Sequence, residues 1–323
     1  MNKKHNPSLV KLIALLADGQ YHDGTTIGEA LQMTRSAVWK AIKKLQQCHI
    51  NIISVKSKGY LLAEPLILLD MHELRKKVQR KDVDIHLFES IDSTNNYLRG
   101  LRNMEKISVC IAEQQTNGRG RFNRAWYSPF ARNIYLSCLY PFKKDISELS
   151  GLSLVISLAV IRALKDFGLR EKIGVKWPND IVYDYKKISG NLIEIQAETH
   201  GLCHAIIGMG VNVNMLEADG EIMQSWTSMQ RVLQEYIDRN AVCASLLNHV
   251  FDYLQRFEAQ GLKSFVSEWS EVDSLKNKMI ALNHAQGVIE GSVQGINEQG
   301  HLLLAMQDGK VRAFSSGDTS VVK

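Results

Sequence analysis

Apolar positions near the start of the chain follow a helical period. Leu9, Leu12, Ile13 and Leu16 fall at i, i+3, i+4 and i+7, one stripe of a helix that Pro7 and Ser8 open and Gly19 closes. Ile27, Ala30 and Leu31 predict a second short helix after Gly24-Thr25. Val38, Ile42 and Leu45 predict a third, with Thr34 as its N-cap. The period then drops to two. Residues 51–55 and 60–63 alternate as strands around Lys56-Ser57-Lys58-Gly59, a turn with glycine where positive φ costs little. Three short helices and a hairpin make a winged helix-turn-helix over residues 1–65.

From residue 66 to about 271 strands and helices intermingle. Residues 84–89, 108–113, 133–139, 174–176, 181–183, 188–195 and 205–213 read as strands. Residues 149–167 form a long apolar helix, and residues 239–260 another, with Leu246, Leu247, Val250, Leu254 and Phe257 as its stripe. A mixed sheet with packed helices is the implied architecture. Residues 272–323 shift again, to short strands at 279–282, 287–293, 301–305 and 311–314 with glycine turns, a small β-barrel. The predicted class is α+β in three domains, 1–65, 66–271 and 272–323.

Composition adds limits. With 323 residues, 45% hydrophobic and 23% charged, the chain is neither disordered nor collagen-like. Charge is placed unevenly. Residues 1–65 carry nine Lys and Arg against four Asp and Glu, which accounts for the whole net charge of +5; the rest of the chain holds thirty of each. A basic module on a neutral body points to a polyanion partner. The five cysteines stand far apart with no Cys-x-x-Cys pair, so neither a disulfide framework nor a zinc site is expected, and a reducing cytosol fits. Lys3 and Lys4 precede an apolar stretch in the manner of a signal peptide, but Lys11 interrupts it and Asp18-Gly19 replaces the small cleavage-site residues. No apolar run approaches the ~20 residues of a membrane span, so a cytoplasmic protein without a membrane partner is expected.

The polar face of the third helix carries Arg35, Ser36, Trp39, Lys40 and Lys43, and the wing carries Lys56 and Lys58. Arg35 and Ser36, at the helix start, are placed to meet base edges in a major groove, and the lysines to neutralise phosphates. The alternative is a three-helix module for protein contacts, which Trp39 suits equally.

Several central segments are too polar for their setting. Gly118-Arg119-Gly120-Arg121, followed by Arg124 and Trp126, combines backbone free of Cβ with guanidinium groups, a combination suited to an anion. It has neither the Gly-Lys-Ser/Thr ending of a P-loop nor the dinucleotide fingerprint, and a generic flexible loop is the alternative. Lys176-Trp177-Pro178-Asn179-Asp180 is a turn between strands that either points Lys176 and Asp180 into a cleft or is a hairpin corner with Trp177 as core. Lys186-Lys187-Ile188-Ser189-Gly190 puts a lysine at a strand mouth, facing a substrate anion or open solvent. Asp92-Ser93-Thr94-Asn95 reads by itself as a helix cap, and Gly208-Met209-Gly210-Val211-Asn212 as a glycine-rich strand end with a lone amide. The ten histidines are scattered and no serine sits in a nucleophile elbow, so neither histidine-based catalysis nor a structural metal is indicated.

Taken in order, these segments resemble those of biotin–protein ligases, and the winged helix in front resembles the bifunctional bacterial type that is also the biotin operon repressor. The resemblance runs over essentially the whole chain, and the small barrel of residues 272–323 resembles the SH3-like domain that closes these ligases. It implies two-step chemistry: biotin and Mg-ATP (Mg2+ entering with ATP) give biotinyl-5′-adenylate, and a lysine of a biotin carboxyl carrier domain of a carboxylase then takes the biotin. It implies that Ser93, Thr94, Asn95 and Gln115 hold the ureido head, with Gly190 also at the biotin, and that Gly118, Arg119, Gly120 and Arg121 fold over the biotin tail and adenylate phosphate. Lys187 would contact carboxylate and phosphate, Trp126 and Asn212 the adenine and phosphate. Asp180 would orient the incoming amine, and Lys176 would help hold phosphate. It implies a homodimer, formed with adenylate bound, that binds operator DNA. The family loop often continues with arginine and glycine where this chain has Phe122 and Asn123. A ligand-responsive regulator without ligase activity and a lipoate-type ligase are the competing readings. Phosphate handling by Lys187 and the arginine loop opposes the first; the Trp177-Pro178-Asn179-Asp180 turn and the winged helix oppose the second.

Overall fold

The computed structural model describes residues 8–102, 104–197, 203–218, 222–284 and 287–322. Pro7, expected at the opening of the first helix, lies outside them. Helices α1 (Ser8–Leu16), α2 (Gly24–Leu31) and α3 (Arg35–Gln47) precede the hairpin β1 (Ile52–Val55) and β2 (Gly59–Leu62). Leu9, Leu12, Ile13, Leu16, Ile27, Val38, Ile42 and Leu45 all point into one core, as their spacing requires. Thr34 Oγ1 accepts from Ala37 N at 3.2 Å, the predicted cap. Gly59 turns the wing at φ 99°, with no room for a Cβ beside His22.

The middle of the chain runs α4 (Met71–Lys77), β3 (Asp84–Phe88), α5 (Thr94–Arg99), β4 (Ser108–Ala112), β5 (Ile134–Phe142), α6 (Leu152–Asp166), β6 (Ile173–Lys176), β7 (Asp180–Tyr183), β8 (Lys186–Ala197), β9 (Cys203–Val211), α7 (Met229–Leu233), α8 (Arg239–Gln260) and α9 (Val266–Val272). Its seven strands form one mixed sheet in the order β3-β4-β5-β9-β8-β7-β6, parallel only between β3 and β4. Alternate residues of the strands face opposite sides. Val109, Ile111, Cys138, Tyr140, Ala205 and Ile207 share the large core with α6 and α8. Cys110, Leu139 and Ile206 face the other way, toward Leu98 of α5. Helices α4, α7 and α9 span only seven, five and seven residues, too short to show a full stripe, and the sequence pattern did not reveal them.

One sequence expectation needs correcting. Residues Ile146–Asp166 are long and apolar enough to cross a membrane by length and composition alone, with a mean hydropathy of 1.6. Most of this stretch is buried inside the protein, where α6 lies on the sheet and against α8. Its apolar residues form a core helix that is hydrophobic nearly all round.

The predicted small barrel is a five-stranded antiparallel sheet, β10 (Met279–His284), β11 (Gly287–Ile296), β12 (Leu302–Ala305), β13 (Val311–Phe314) and β14 (Asp318–Val321), in the order β13-β12-β11-β10-β14. Trp177, 2% exposed, fastens it to the central sheet: its Nε1 donates to Gly300 O at 3.0 Å, and its carbonyl accepts from Thr319 Oγ1 at 3.1 Å. The winged helix is fastened too. Phe130 and Ala131 complete its core, and Arg132 Nη2 donates to His49 O at 3.0 Å and pairs with Glu64. Behind this contact Arg239, fully buried, donates to Ile67 O at 2.9 Å and pairs with Glu113 at 2.6 Å, while Glu113 also accepts from Leu69 N.

Candidate functional site

A cavity of about 520 Å3 opens on the α5 side of the central sheet. Its floor is made of strand positions without side chains. A Cβ on Gly208 would lie 2.3 Å from Asn95 Oδ1, and one on Gly210 would lie 2.3 Å from the Trp126 indole. Both glycines are therefore required by close approach, which the sequence pattern registered only as a glycine-rich strand end. Gly190 pairs with Gly210 across β8 and β9 and leaves space for the Lys187 side chain, whose Cε would be 3.0 Å from a Cβ there.

At the Gly208 end the cavity wall is a hydrogen-bonded cluster. Ser93 occupies the N-cap position of α5, but its side chain makes no cap bond, so the segment is only partly the helix cap that its sequence suggests. Thr94 N donates to Gln115 Oε1 at 2.9 Å, Gln115 Nε2 donates to Ser128 Oγ at 3.3 Å, and Ser137 Oγ lies 2.6 Å from both Thr94 Oγ1 and Asn95 Oδ1. These donors and acceptors are buried or partly buried and paired, which fixes their directions. Asn212, 5% exposed, is held by donating its Nδ2 to Thr227 O at 3.0 Å.

At the Gly210 end the wall is cationic. Lys187 Nζ sits 2.7 Å from Asp180 Oδ1 and 5.2 Å from the Trp126 ring centroid. The loop bearing Arg119, Arg121 and Arg124 forms a flap: Arg121 and Arg124 lie at this end, and Arg119 reaches Asn96 and Glu194 toward the Gly208 end. Arg121 Nη1 donates to Asn179 Oδ1 at 3.2 Å and to Gly317 O at 3.3 Å, and lies 3.6 Å from Asp318, which also pairs with Arg124. Burial pulls the Arg121 guanidinium below its ordinary value, against the opposing charges of Asp318 and Asp180. The flap turns through Phe122 and Asn123, both at positive φ, rather than through its glycines. Asparagine tolerates that region; phenylalanine is uncommon in it.

Ser93, Thr94, Asn95, Gln115, Arg119, Gly120, Arg121, Trp126, Asp180, Lys187, Gly190 and Asn212 all line this one cavity. Two expected residues do not. Gly118 packs beneath it, its carbonyl accepting from Trp126 N at 2.9 Å, with no space for a Cβ beside Trp126 O. Lys176 is only a cross-strand neighbour of Asp180, and burial lowers the pKa of its ammonium. Trp177 is core, as the hairpin-corner reading had it. Sequence reasoning missed Asn179, Trp226, Met223 and Asp318, which line the cavity, and Glu194, which is not in the lining but pairs with Arg119. Asn179 stood within the motif already noted; the two carboxylates read as ordinary strand residues, without a signal to single them out.

On the winged helix, Arg35, Ser36, Lys40, Lys43, Lys56 and Lys58 are all exposed, and Trp39 is 52% exposed. Among the described residues none of these cations is in an ion pair; Lys58 rests over the Tyr21 ring at 5.5 Å.

A cleft with a hydrogen-bonding end and a cationic end under an arginine flap suits a ligand that joins a polar head to an anionic group. The chain matches the biotin/lipoate A/B protein ligase family over residues 87–212, an HTH domain over 9–61 and the biotin protein ligase C terminal domain over 277–322. It is 35% identical to the bifunctional ligase/repressor BirA of Escherichia coli over 320 residues, 98% of each chain, and 28% identical to that of Bacillus subtilis over 307 residues, 93% of this chain and 94% of the relative. A solved biotin protein ligase from Aquifex aeolicus in complex with biotin and ATP superposes with a TM-score of 0.64 at 28% identity, covering 74% of this chain and 99% of that one. The chain belongs to the bifunctional ligase/repressor family of biotin–protein ligases.

Proposed function

We propose that this protein joins biotin to a carrier lysine through an adenylate made and held in the cavity, and that its winged helix binds operator DNA. The carrying observation is the order of groups along one sheet face. The Asn95 cluster stands beside Gly208, and Lys187 stands beside Gly190, the cross-strand partner of Gly210, two residues further along β9. That is about 7 Å in a strand, a reach that suits a ligand with a neutral hydrogen-bonding head and an anionic tail. Lys187, Arg119 and Arg121 offset the repulsion between the biotin carboxylate and ATP. A carboxylate oxygen attacks the α-phosphorus, the bond to the β-phosphate breaks, and pyrophosphate leaves. The carrier lysine amine then attacks the acyl carbon, the bond to AMP breaks, and the nitrogen loses a proton; Asp180 is assigned to orient that amine. Closure of the flap protects the mixed anhydride from water. Trp126 and Asn212 are assigned to the nucleotide, and Ser93, Thr94, Asn95 and Gln115 to the ureido head.

Mg2+ enters with ATP. Asp180 and Asp318 are each neutralised by a cation, so the phosphates and water supply most of its ligands. Flap ordering by adenylate shifts the population toward a homodimer that binds DNA. Five free cysteines support a reducing, cytoplasmic setting. Residues 1–65, 66–271 and 272–323 are proposed as the head, the catalytic unit and the closing sheet. Incubation with biotin, Mg-ATP and a biotin carboxyl carrier domain tests the reading: the carrier gains one biotin by mass, and an unchanged mass refutes it.

A further inference from the structure

Glu194 lies on β8, on the same face as Gly190 and Leu192, with its side chain only 24% exposed. Its carboxylate serves three partners from two segments, α5 and the flap. Oε1 pairs with Arg99 at the end of α5 and lies 3.4 Å from Arg119 Nη2 in the flap. Oε2 accepts from Asn95 Nδ2 at 2.9 Å. Arg119 Nη2 also donates to Asn96 Oδ1 at 2.7 Å, while its Nε is buried and unpaired, so the flap guanidinium is fastened through one nitrogen.

We propose that Glu194 is a positioning residue which, through one carboxylate, fastens the flap by Arg119 and sets the orientation of the Asn95 amide. This deepens the ligase reading and rests on it. The two ends of an amide are alike in shape, so its neighbours decide which end faces which way. An ionised carboxylate only accepts; it draws Nδ2 toward β8 and leaves Oδ1 toward Ser137 and Gly208. Asn95 therefore presents one fixed pattern to the cavity. The same charge holds Arg119 where it closes over a bound acyl chain. Head-group recognition and flap closure thus share a residue that touches neither reacting atom. The competing role is a plain pair with Arg99 at the sheet surface, which contributes little.

The test uses the full-length protein and four forms: wild type, Glu194→Gln, Arg119→Ala and the double variant. The readouts are KM for biotin in pyrophosphate release, the dissociation rate of preformed biotinyl-adenylate, and Tm. Loss of charge-assisted bonds at Glu194→Gln is expected to raise both KM and the dissociation rate about tenfold, with Tm near wild type. In the Arg119→Ala background the same substitution still raises KM through Asn95, and its effect on dissociation shrinks to that head-group contribution alone. Unchanged KM and dissociation in Glu194→Gln, or an undiminished effect on dissociation without Arg119, overturns the proposal. If Glu194→Gln does not fold, Glu194→Asp carries the test: it retracts the charge by one methylene and should shift both values in the same direction, and unchanged values overturn the proposal. A wild type that forms no adenylate would instead refute the ligase reading itself.

Discussion

The winged helix and the cavity use the same kinds of side chain in opposite ways. On the head, Arg35, Lys40, Lys43, Lys56 and Lys58 face solvent without ion pairs among the described residues. In the cavity each cation has a carboxylate: Lys187 has Asp180, Arg119 has Glu194, and Arg121 and Arg124 share Asp318. A surface that awaits a long polyanion gains from unneutralised charge, because released counterions contribute to binding. A cleft that must hold cations in place while empty needs counter-charges, which a phosphate can displace or screen when it arrives. The charge excess of residues 1–65 and the balance beyond them are the sequence-level trace of that difference.

The largest expected effect is at the joint between the two regions. Glu113→Ala leaves Arg239 as an unpaired charge with no exposed surface and frees Leu69 N, which should lower unfolding stability by about 3–5 kcal/mol in denaturant titration. A loss below 1 kcal/mol would mean that the buried pair does not hold the linker. Next, Lys187→Ala should slow adenylate formation by about 100- to 1000-fold in a pyrophosphate-release assay while leaving the salt dependence of DNA binding by the head unchanged. A comparable change in both would erase the contrast drawn between the regions. The smallest effect is on the head: Lys40→Ala should lower the slope of log K against log salt by about 0.9 and leave carrier biotinylation unaltered. A slope equal to wild type would show that Lys40 meets no phosphate.

The head was the more legible region because its logic is local. Stripe, cap and wing each lie within a few residues, so Leu12, Thr34 and Gly59 take up the places their spacing predicts. The cavity motifs Ser93-Thr94-Asn95, Gly118-Arg119-Gly120-Arg121 and Lys187 were visible as polar segments out of keeping with their surroundings, but their convergence is a product of sheet order. Glu194 and Asp318 became meaningful only when β8 and β14 brought them beneath the flap. Lys176 shows the converse: a residue of the same motif whose cross-strand partner Asp180 lines the cavity while Lys176 itself does not. The apolar stretch Ile146–Asp166 could not be told by composition from a membrane span; burial against the sheet and α8 distinguishes it.

The role of the flap can be measured directly by loading the protein with radiolabelled biotinyl-adenylate, chasing with unlabelled adenylate, and following release from wild type and Arg121→Gly. Arg121 joins the flap to Asn179, Gly317 and Asp318, so its removal should speed release at least about tenfold and let the adenylate accumulate free in solution. Equal release rates from the two proteins would contradict the claim that a closed arginine flap retains the activated intermediate.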